Sequence, residues 1–459
     1  MRTLDQILTK KDYSRKTPAS LFYKDSPLWQ KLLAIGCVFF LSVAGLGEWK
    51  VLNGMLGGLP KAITLGVIGL AMLYTLFYPD EKRLREIWKP TLLYMSLMAA
   101  LFFWSMVIWI KNFATVSSMI RSCSKLVFQS IAILTAVALV YLFREKAIEL
   151  FTISICITNG AIMLLCIPDY GVAASIQSLV TCLVTFGEAV GYARQLEIHD
   201  LTFVFGQMVL YYAVFAPHST LQEKRKRRRY LLLCCWFFLV GMKRIAIPAV
   251  VLFILIALLL RKRKVPSWFY PAVGVCCILF FLAFLYGVRN GIVSRLLNSV
   301  GVDMMGRDYL WSMANPYYEF SVTYLGHGFE YVDTIIGQWY SAGLINHPYP
   351  FHNDILKVFV EVGFPGFLLW SGIQYVLTPL FWQRYADQET TLLYLSELGY
   401  MTVTYLTDNT AFYFWSTMAL RLVTFAYAME RKKPPEPKVW MPDSRQEMRD
   451  RIRILMKEV

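Results

Sequence analysis

Charged side chains are scarce in this chain. Lysine, arginine, aspartate and glutamate make 17% of its 459 residues, against about a quarter in a soluble globular domain. Hydrophobic residues make 57%, and mean hydropathy is +0.47. Metal and cofactor signatures are lacking too. There is no C-x-x-C, no Cys/His finger spacing, no H-E-x-x-H, no Walker A loop and no G-x-G-x-x-G, so zinc, ATP and NAD are unsupported. His347 and His352, with His327 nearby, are separated by Pro348 and Pro350, which oppose a helix that would align them on a metal. The 9 cysteines sit mostly inside apolar runs and read as packing residues without a disulfide framework. No low-complexity linker and no internal repeat is visible.

What is present is a series of apolar runs near or beyond the ~17 residues that cross a bilayer. Backbone in lipid must satisfy its own hydrogen bonds, so these runs are helices. The alternating strands of an outer-membrane barrel are absent. Spans are expected near 30–47, 61–78, 91–110, 126–143, 147–167, 200–217, 230–242, 245–260, 267–286, 355–381, 391–407 and 411–429, which makes about twelve. The pair 230–242 and 245–260 is broken by Lys243-Arg244, two cations that belong at an interface rather than mid-bilayer. The expected fold is an all-α polytopic membrane protein. It comprises one transmembrane domain over 1–429, with an outer loop at about 287–354, and a short charged cytoplasmic tail over 430–459. The polar segment 1–26 shows no cleavable signal, so the first span is its own insertion signal.

Orientation follows from lysine and arginine. The runs Lys224-Arg225-Lys226-Arg227-Arg228-Arg229 and Arg261-Lys262-Arg263-Lys264, together with Arg144, Lys146 and Arg431-Lys432-Lys433, fall at one side of the expected spans. The positive-inside rule makes that side, and both termini, cytoplasmic. A net charge of +15 is explained by these anchors and by anionic lipid, not by nucleic acid. Two features strain the scheme. Segment 171–187 is apolar enough to cross yet carries Ser175, Gln177, Ser178, Thr181 and Thr185; a crossing there would turn the basic runs outward, so it should lie along or dip into the outer face. Arg121 and Lys125 fall in an outer loop, against the rule.

The candidate chemistry lies in that long loop. It holds three of the 5 histidines, many tyrosines and tryptophans, and Arg289, Arg295 and Arg307. Too aromatic for disorder, it suits a surface for sugars or headgroups, although an interfacial aromatic belt accounts for part of it. The sharpest string is His352-Asn353-Asp354 leading into Glu361-Val362-Gly363-Phe364-Pro365-Gly366. His352 can accept a proton near neutral pH, Asn353 can cap a helix, and Glu361 needs a partner inside the membrane. Two weaker strings are Met242-Lys243-Arg244 and Gly306-Arg307-Asp308-Tyr309-Leu310-Trp311. Arginine grips phosphate bidentately, so converging arginines would suit a pyrophosphate.

H-N-x-x-L followed by E-x-G-x-x-G, the basic turn at Lys243-Arg244 and the Gly306-Arg307 to Trp311 element together resemble the O-antigen ligase and Wzy-type polysaccharide polymerase superfamily, over roughly 200–425. Lys243 stands where that family often has serine. The resemblance implies a GT-C-like glycosyltransferase of the bacterial inner membrane. Such an enzyme moves glycan from an undecaprenyl-pyrophosphate carrier to an acceptor hydroxyl on the outer face, without cofactor or obligate metal. It implies catalytic roles for His352, Arg307 and Arg244, and substrate-binding roles for Lys243, Asn353, Trp311, Tyr309, His347 and Arg289. The implied partners are the lipid-linked glycan and membrane lipid, with a chain-length regulator and a flippase as further candidates; nucleic acid is excluded. Polymerisation of repeat units into O-antigen, capsule or exopolysaccharide is the favoured activity, with ligation to another acceptor as the alternative. A flippase or transporter is the reading from another class, but it should hold its polar residues mid-membrane, and here they gather in a loop and at span ends.

Overall fold

The computed structural model describes residues 28–57, 59–112, 115–185, 189–301, 304 and 306–431. The N-terminal segment 1–26, and the tail beyond 431, lie outside the described residues. Among the described residues there is no strand. In chain order the helices are α1 (Leu28–Leu46), α2 (Lys50–Leu56), α3 (Leu59–Ala62), α4 (Leu65–Phe77), α5 (Glu81–Lys111), α6 (Val116–Phe143), α7 (Lys146–Tyr170), α8 (Val172–Thr185), α9 (Tyr192–Gln195) and α10 (His199–Leu210). There follow α11 (Leu221–Val240), α12 (Ala246–Arg261), α13 (Phe269–Arg289), α14 (Ile292–Ser299), α15 (Arg307–Ala314), α16 (Tyr331–Ser341), α17 (Asp354–Gly372), α18 (Thr378–Tyr385), α19 (Gln388–Thr407) and α20 (Phe414–Arg431).

Among the described residues 7 helices are long and apolar enough to cross a membrane: Leu28–Leu46, Leu59–Phe77, Glu81–Lys111, Met119–Phe143, Lys146–Tyr170, Phe269–Arg289 and Asp354–Tyr385. Val172–Thr185 and Ala246–Arg261 are shorter apolar helices. The chain is thus an all-helical polytopic membrane protein. Helices α10, α19 and α20 are more polar because neighbouring helices, not lipid, surround them: nearly every residue of α20 from Phe414 to Met429 is buried. The peripheral α1, α4 and α13 instead turn large apolar side chains outward, such as Phe39, Leu76 and Leu279, as a surface solvated by lipid tails requires.

Helix starts follow local sequence. Asp80, Asn353 and Asp387 each accept a hydrogen bond from the backbone N–H three residues on, and Thr220 with Glu223 forms a reciprocal capping box. A π-helical turn, Tyr211–Phe215, frees backbone carbonyls at the end of α10. Arg227 takes those of Tyr212 and Ala213, and Arg261 takes that of Val214. Members of both basic runs are therefore structural ligands as well as charges.

Polar contacts sort the helix ends into two sets. One joins Arg144 to Glu86, Lys226 to Glu149, Arg261 to Glu389, and Arg431 to Asp387 and Glu389. The other joins Glu48 to Lys61, Asp200 to Ser416, and Asp354 to Ala411. Residues 171–185 belong to the second end, and 186–187 lie outside the described residues. Helix α7 finishes at Tyr170, whose hydroxyl accepts from Gln195 at 3.2 Å, and Ser178 in α8 bonds Val190 and Ala193. Helix α8 therefore lies between the end of α7 and α9, whose contacts hold the start and the end of this excursion together.

Helix α17 unwinds at Gly363, with φ 65° and ψ −172°, a region that only glycine occupies readily. The opened turn is filled by the segment before α16. Phe364 N–H donates to Tyr324 O at 2.8 Å, and the His327 and Gly328 N–H groups donate to Glu361 O at 2.9 and 2.7 Å. Trp104 donates to Val362 O at 2.8 Å and would strike a Cβ at Gly366. A Cβ on Gly363 would lie 2.2 Å from the Leu325 carbonyl carbon. Gly363→Ala is therefore expected to prevent stable folding, which size-exclusion chromatography in detergent would show as lost monodisperse protein; a wild-type profile would refute the packing argument.

Candidate functional site

The aromatic loop builds its own small core. Arg289, at the end of α13, donates to Tyr318 O at 2.7 Å and to Asn315 O, and lies over the Tyr318 ring at 5.0 Å. Trp311 is buried; its indole N–H donates to Phe351 O at 3.0 Å, and Trp339 stacks on the Phe351 ring at 6.1 Å. These two tryptophans fix the residue that precedes His352. His327 stacks on Tyr331 at 4.1 Å and its Nε2 donates to Tyr317 O at 2.8 Å. Burial pushes the His327 pKa below its ordinary value, although the Tyr317 carbonyl opposes this. Tyr309 and His347 are exposed; His347 sets its ring edge-on to Tyr349 at 5.5 Å.

In the string His352-Asn353-Asp354 each residue has a different task. Asp354 accepts from Ala411 N–H at 2.7 Å and so ties α17 to the turn between α19 and α20. Asn353 caps α17 through the Leu356 N–H at 2.9 Å. His352 adopts φ 48°, left-handed for a non-glycine residue, a strain tolerated where surrounding structure imposes it. Its Nδ1 lies 3.3 Å from Asp408 Oδ1 and 3.4 Å from Asn409 Nδ2. A carboxylate there selects the tautomer with the proton on Nδ1, which leaves Nε2 as an acceptor. Asp408 extends the chain to Lys243 at 3.7 Å; Lys243 reaches Glu197 at 3.0 Å, and Glu197 lies 3.9 Å from His199. Burial works against the Asp408 charge. The hydrogen bond from His352 and the charge of Lys243 outweigh it and hold Asp408 well below the usual carboxylate range.

A second network stands beside the first. Lys357, one turn into α17, is buried and bonds Glu330 at 3.2 Å and Asp333 at 3.0 Å, with Glu361 at 3.8 Å. Lys125 of α6 reaches Glu330 at 2.6 Å and Asp333 at 3.7 Å. Glu361 also accepts from Val332 N–H at 3.2 Å, which supplies the partner its position demanded. Burial opposes the Asp333 charge, but Lys357 and Lys125 hold its pKa far below the ordinary value. Glu330 sits in the left-handed region at φ 66°, as does Met242 beside Lys243 at 52°. Strained backbone thus recurs around one place.

That place is a cavity of about 810 Å³ at the second end of the bundle. His352, Asp408, Asn409, Lys357, Glu330 and Asp333 line it, together with Glu48, Lys50, Lys61, Arg121, Lys125 and His199. Of the residues singled out in the sequence, His352 faces the cavity, Lys243 joins it through Asp408, and Asn353 lies buried behind it. Arg244, Arg307, Tyr309, His347, Trp311 and Arg289 are not among its lining. Sequence reasoning passed over Asp408, Glu197, His199 and the cations of α2, α3 and α6. One signal existed: Arg121 and Lys125, which offended the charge rule, both stand in the cavity wall.

Because Asp333 and Asp408 are depressed in the folded state, each stabilises the fold above the unfolded carboxylate value of about 4. That contribution fades as pH falls below that value toward their folded pKa values. Their share of the thermal stability in detergent should be fully present above about pH 5 and fall below about pH 4. Asp333→Asn should start lower and fall less; an unchanged acid profile would contradict the pairing.

The helical bundle thus gathers a histidine–carboxylate pair and a set of paired cations and carboxylates into one terminal cavity. Residues 230–371 match the family Wzy_C, described as O-antigen ligase, and this match supports the resemblance to the O-antigen ligase and Wzy superfamily. It points to a bacterial membrane protein that transfers glycan in surface-glycan assembly and, through the family, to a lipid-linked glycan substrate. No curated protein matches the chain. The matched segment contains His352, Lys357 and Lys243, whereas much of the remaining cavity lining, such as Glu48, Lys61, Arg121, Lys125, His199 and Asp408, comes from outside it.

Proposed function

We propose that the chain polymerises undecaprenyl-pyrophosphate-linked repeat units on the outer face of the bacterial inner membrane. In this reading it is a GT-C-like enzyme of about twelve crossings with cytoplasmic termini. The observation that carries the proposal is His352, oriented by Asp408, in a polar cavity whose wall also carries Lys50, Lys61 and Arg121.

His352 Nε2 takes the proton of the acceptor hydroxyl as that oxygen bonds the anomeric carbon of the donor sugar. The bond from that carbon to the carrier phosphate breaks, and its electron pair leaves with undecaprenyl pyrophosphate. Asp408 positions the imidazole and stabilises its charged form. Pyrophosphate is already a good leaving group, so the remaining work is to place two glycans and neutralise growing negative charge. Arg121 serves that need from the cavity wall, with Lys243 behind Asp408; Arg244 and Arg307 lie outside the lining, pair with no carboxylate among the described residues, and are assigned to the pyrophosphate on the family resemblance. Arg307→Ala is expected to slow transfer by about 10²-fold, as loss of one stabilising donor does; full activity in a lipid-linked transfer assay would remove it from this role.

The family description favours ligation as the second reading. Glycan from a strain lacking the protein separates the two. Single repeat units at the surface, converted to polymer by the wild-type gene, establish polymerisation. Long polymer stranded on its carrier establishes ligation, and repeat units held on the cytoplasmic leaflet would refute both.

A further inference from the structure

We infer that the gap between α3 and α6 is the lateral opening through which the prenyl chain of a lipid-linked pyrophosphate reaches the cavity. The inference rests on the transfer reading above and names the route into that same site. An apolar groove of about 530 Å³ runs along α6 opposite Ala62. At about 100° per residue, Val116, Ile120, Cys123, Val127 and Ile131 form one stripe of α6. Arg121 and Lys125 form the adjacent stripe, and Ser124 and Phe128 fall between.

Ser124 and Phe128 line both the apolar groove and the polar cavity, so the two are continuous. The facing wall changes character as sharply: Lys61 lines the cavity and its neighbour Ala62 lines the groove. From Val116 to Ile131 the groove is about 22 Å long, more than the ~15 Å of one leaflet's hydrocarbon. Val116, Ile120 and Val127 present it to the bilayer at 71%, 63% and 56% exposure. An apolar groove open to the bilayer and continuous along one edge with a polar cavity that holds Arg121 is the complement of an amphiphile with a long tail and an anionic head. A comparable groove along Trp268, Phe269, Cys276 and Phe280 shares no lining residue with the cavity.

Cys123 lies in the first groove and Cys276 in the second, so their alkylation by N-ethylmaleimide reports occupancy of each. The full-length protein in phosphatidylcholine nanodiscs is titrated with undecaprenyl pyrophosphate, and labelling is read by peptide mass spectrometry. At about ten times Kd, Cys123 labelling should slow about tenfold, with Cys276 unchanged. Geranyl pyrophosphate, too short to fill the groove, should not slow it. Val127→Trp, at a lipid-facing position, should abolish the protection and impair transfer from a long-chain donor while sparing a geranyl-linked one. Unslowed Cys123, slowing of Cys276 instead, or equal slowing by added phosphatidylglycerol would overturn the inference. The transfer reading fails separately: protected Cys123 together with undiminished transfer by His352→Ala keeps the groove and discards the base.

Discussion

His352→Ala is expected to lower glycan transfer by about 10²–10⁴-fold, the usual range for a positioned general base, without loss of folded protein. The variant removes the chemistry and leaves the backbone strain in place, since alanine at φ 48° keeps the Cβ that histidine has. Thermal stability should therefore change little. Asp408→Asn tests the geometry behind the base. It keeps the shape at 3.3 Å from Nδ1 but loses the charge that fixes the tautomer, so turnover should fall while KM for the donor stays near wild type. Stability should fall on either reading, since the charge facing Lys243 is lost, but a merely structural Asp408 would leave the turnover of the surviving protein intact. Initial rates with purified protein and lipid-linked repeat units, against melting temperature, distinguish the two.

The second large effect is on stability. Lys357→Met should destabilise the protein by about 3–5 kcal/mol, the cost of leaving buried carboxylates without their cation. Lys357 is 5% exposed and holds Glu330 and Asp333 directly with Glu361 beyond. Lys125 reaches Glu330 and Asp333 from α6 and would compensate for only part of the loss. Lys357→Met combined with Glu361→Gln should recover some of it, because the second change removes one of the stranded carboxylates. Denaturation in detergent measures both. A single variant as stable as wild type would mean the cluster is solvated rather than buried.

Much of the helical framework was legible because lipid leaves one backbone solution, so length and apolarity suffice. Basic runs also marked one end, and the ion pairs of Arg144, Lys226, Arg261 and Arg431 gather there. Helices α19 and α20 fall on the apolar runs at 391–407 and 411–429; what the runs did not show is that protein, rather than lipid, surrounds α20. At the site, the His352 string was visible because capping and general-base chemistry leave local signatures. Asp408, Glu197 and Lys125 lie tens to hundreds of residues away, and no spacing rule predicts that three turns converge. The aromatic loop illustrates the opposite error of emphasis: Trp311 and Arg289 are conspicuous in sequence, and the fold uses them to build the floor beneath Phe351 and Tyr318.

The central claim is that this cavity transfers glycan from a lipid pyrophosphate. It is tested most directly by giving the purified protein, alone in nanodiscs, undecaprenyl-pyrophosphate-linked repeat units and resolving the products by size. The account predicts a ladder of longer lipid-linked glycans from wild type and unreacted repeat units from His352→Ala. An equal ladder from both proteins would contradict it.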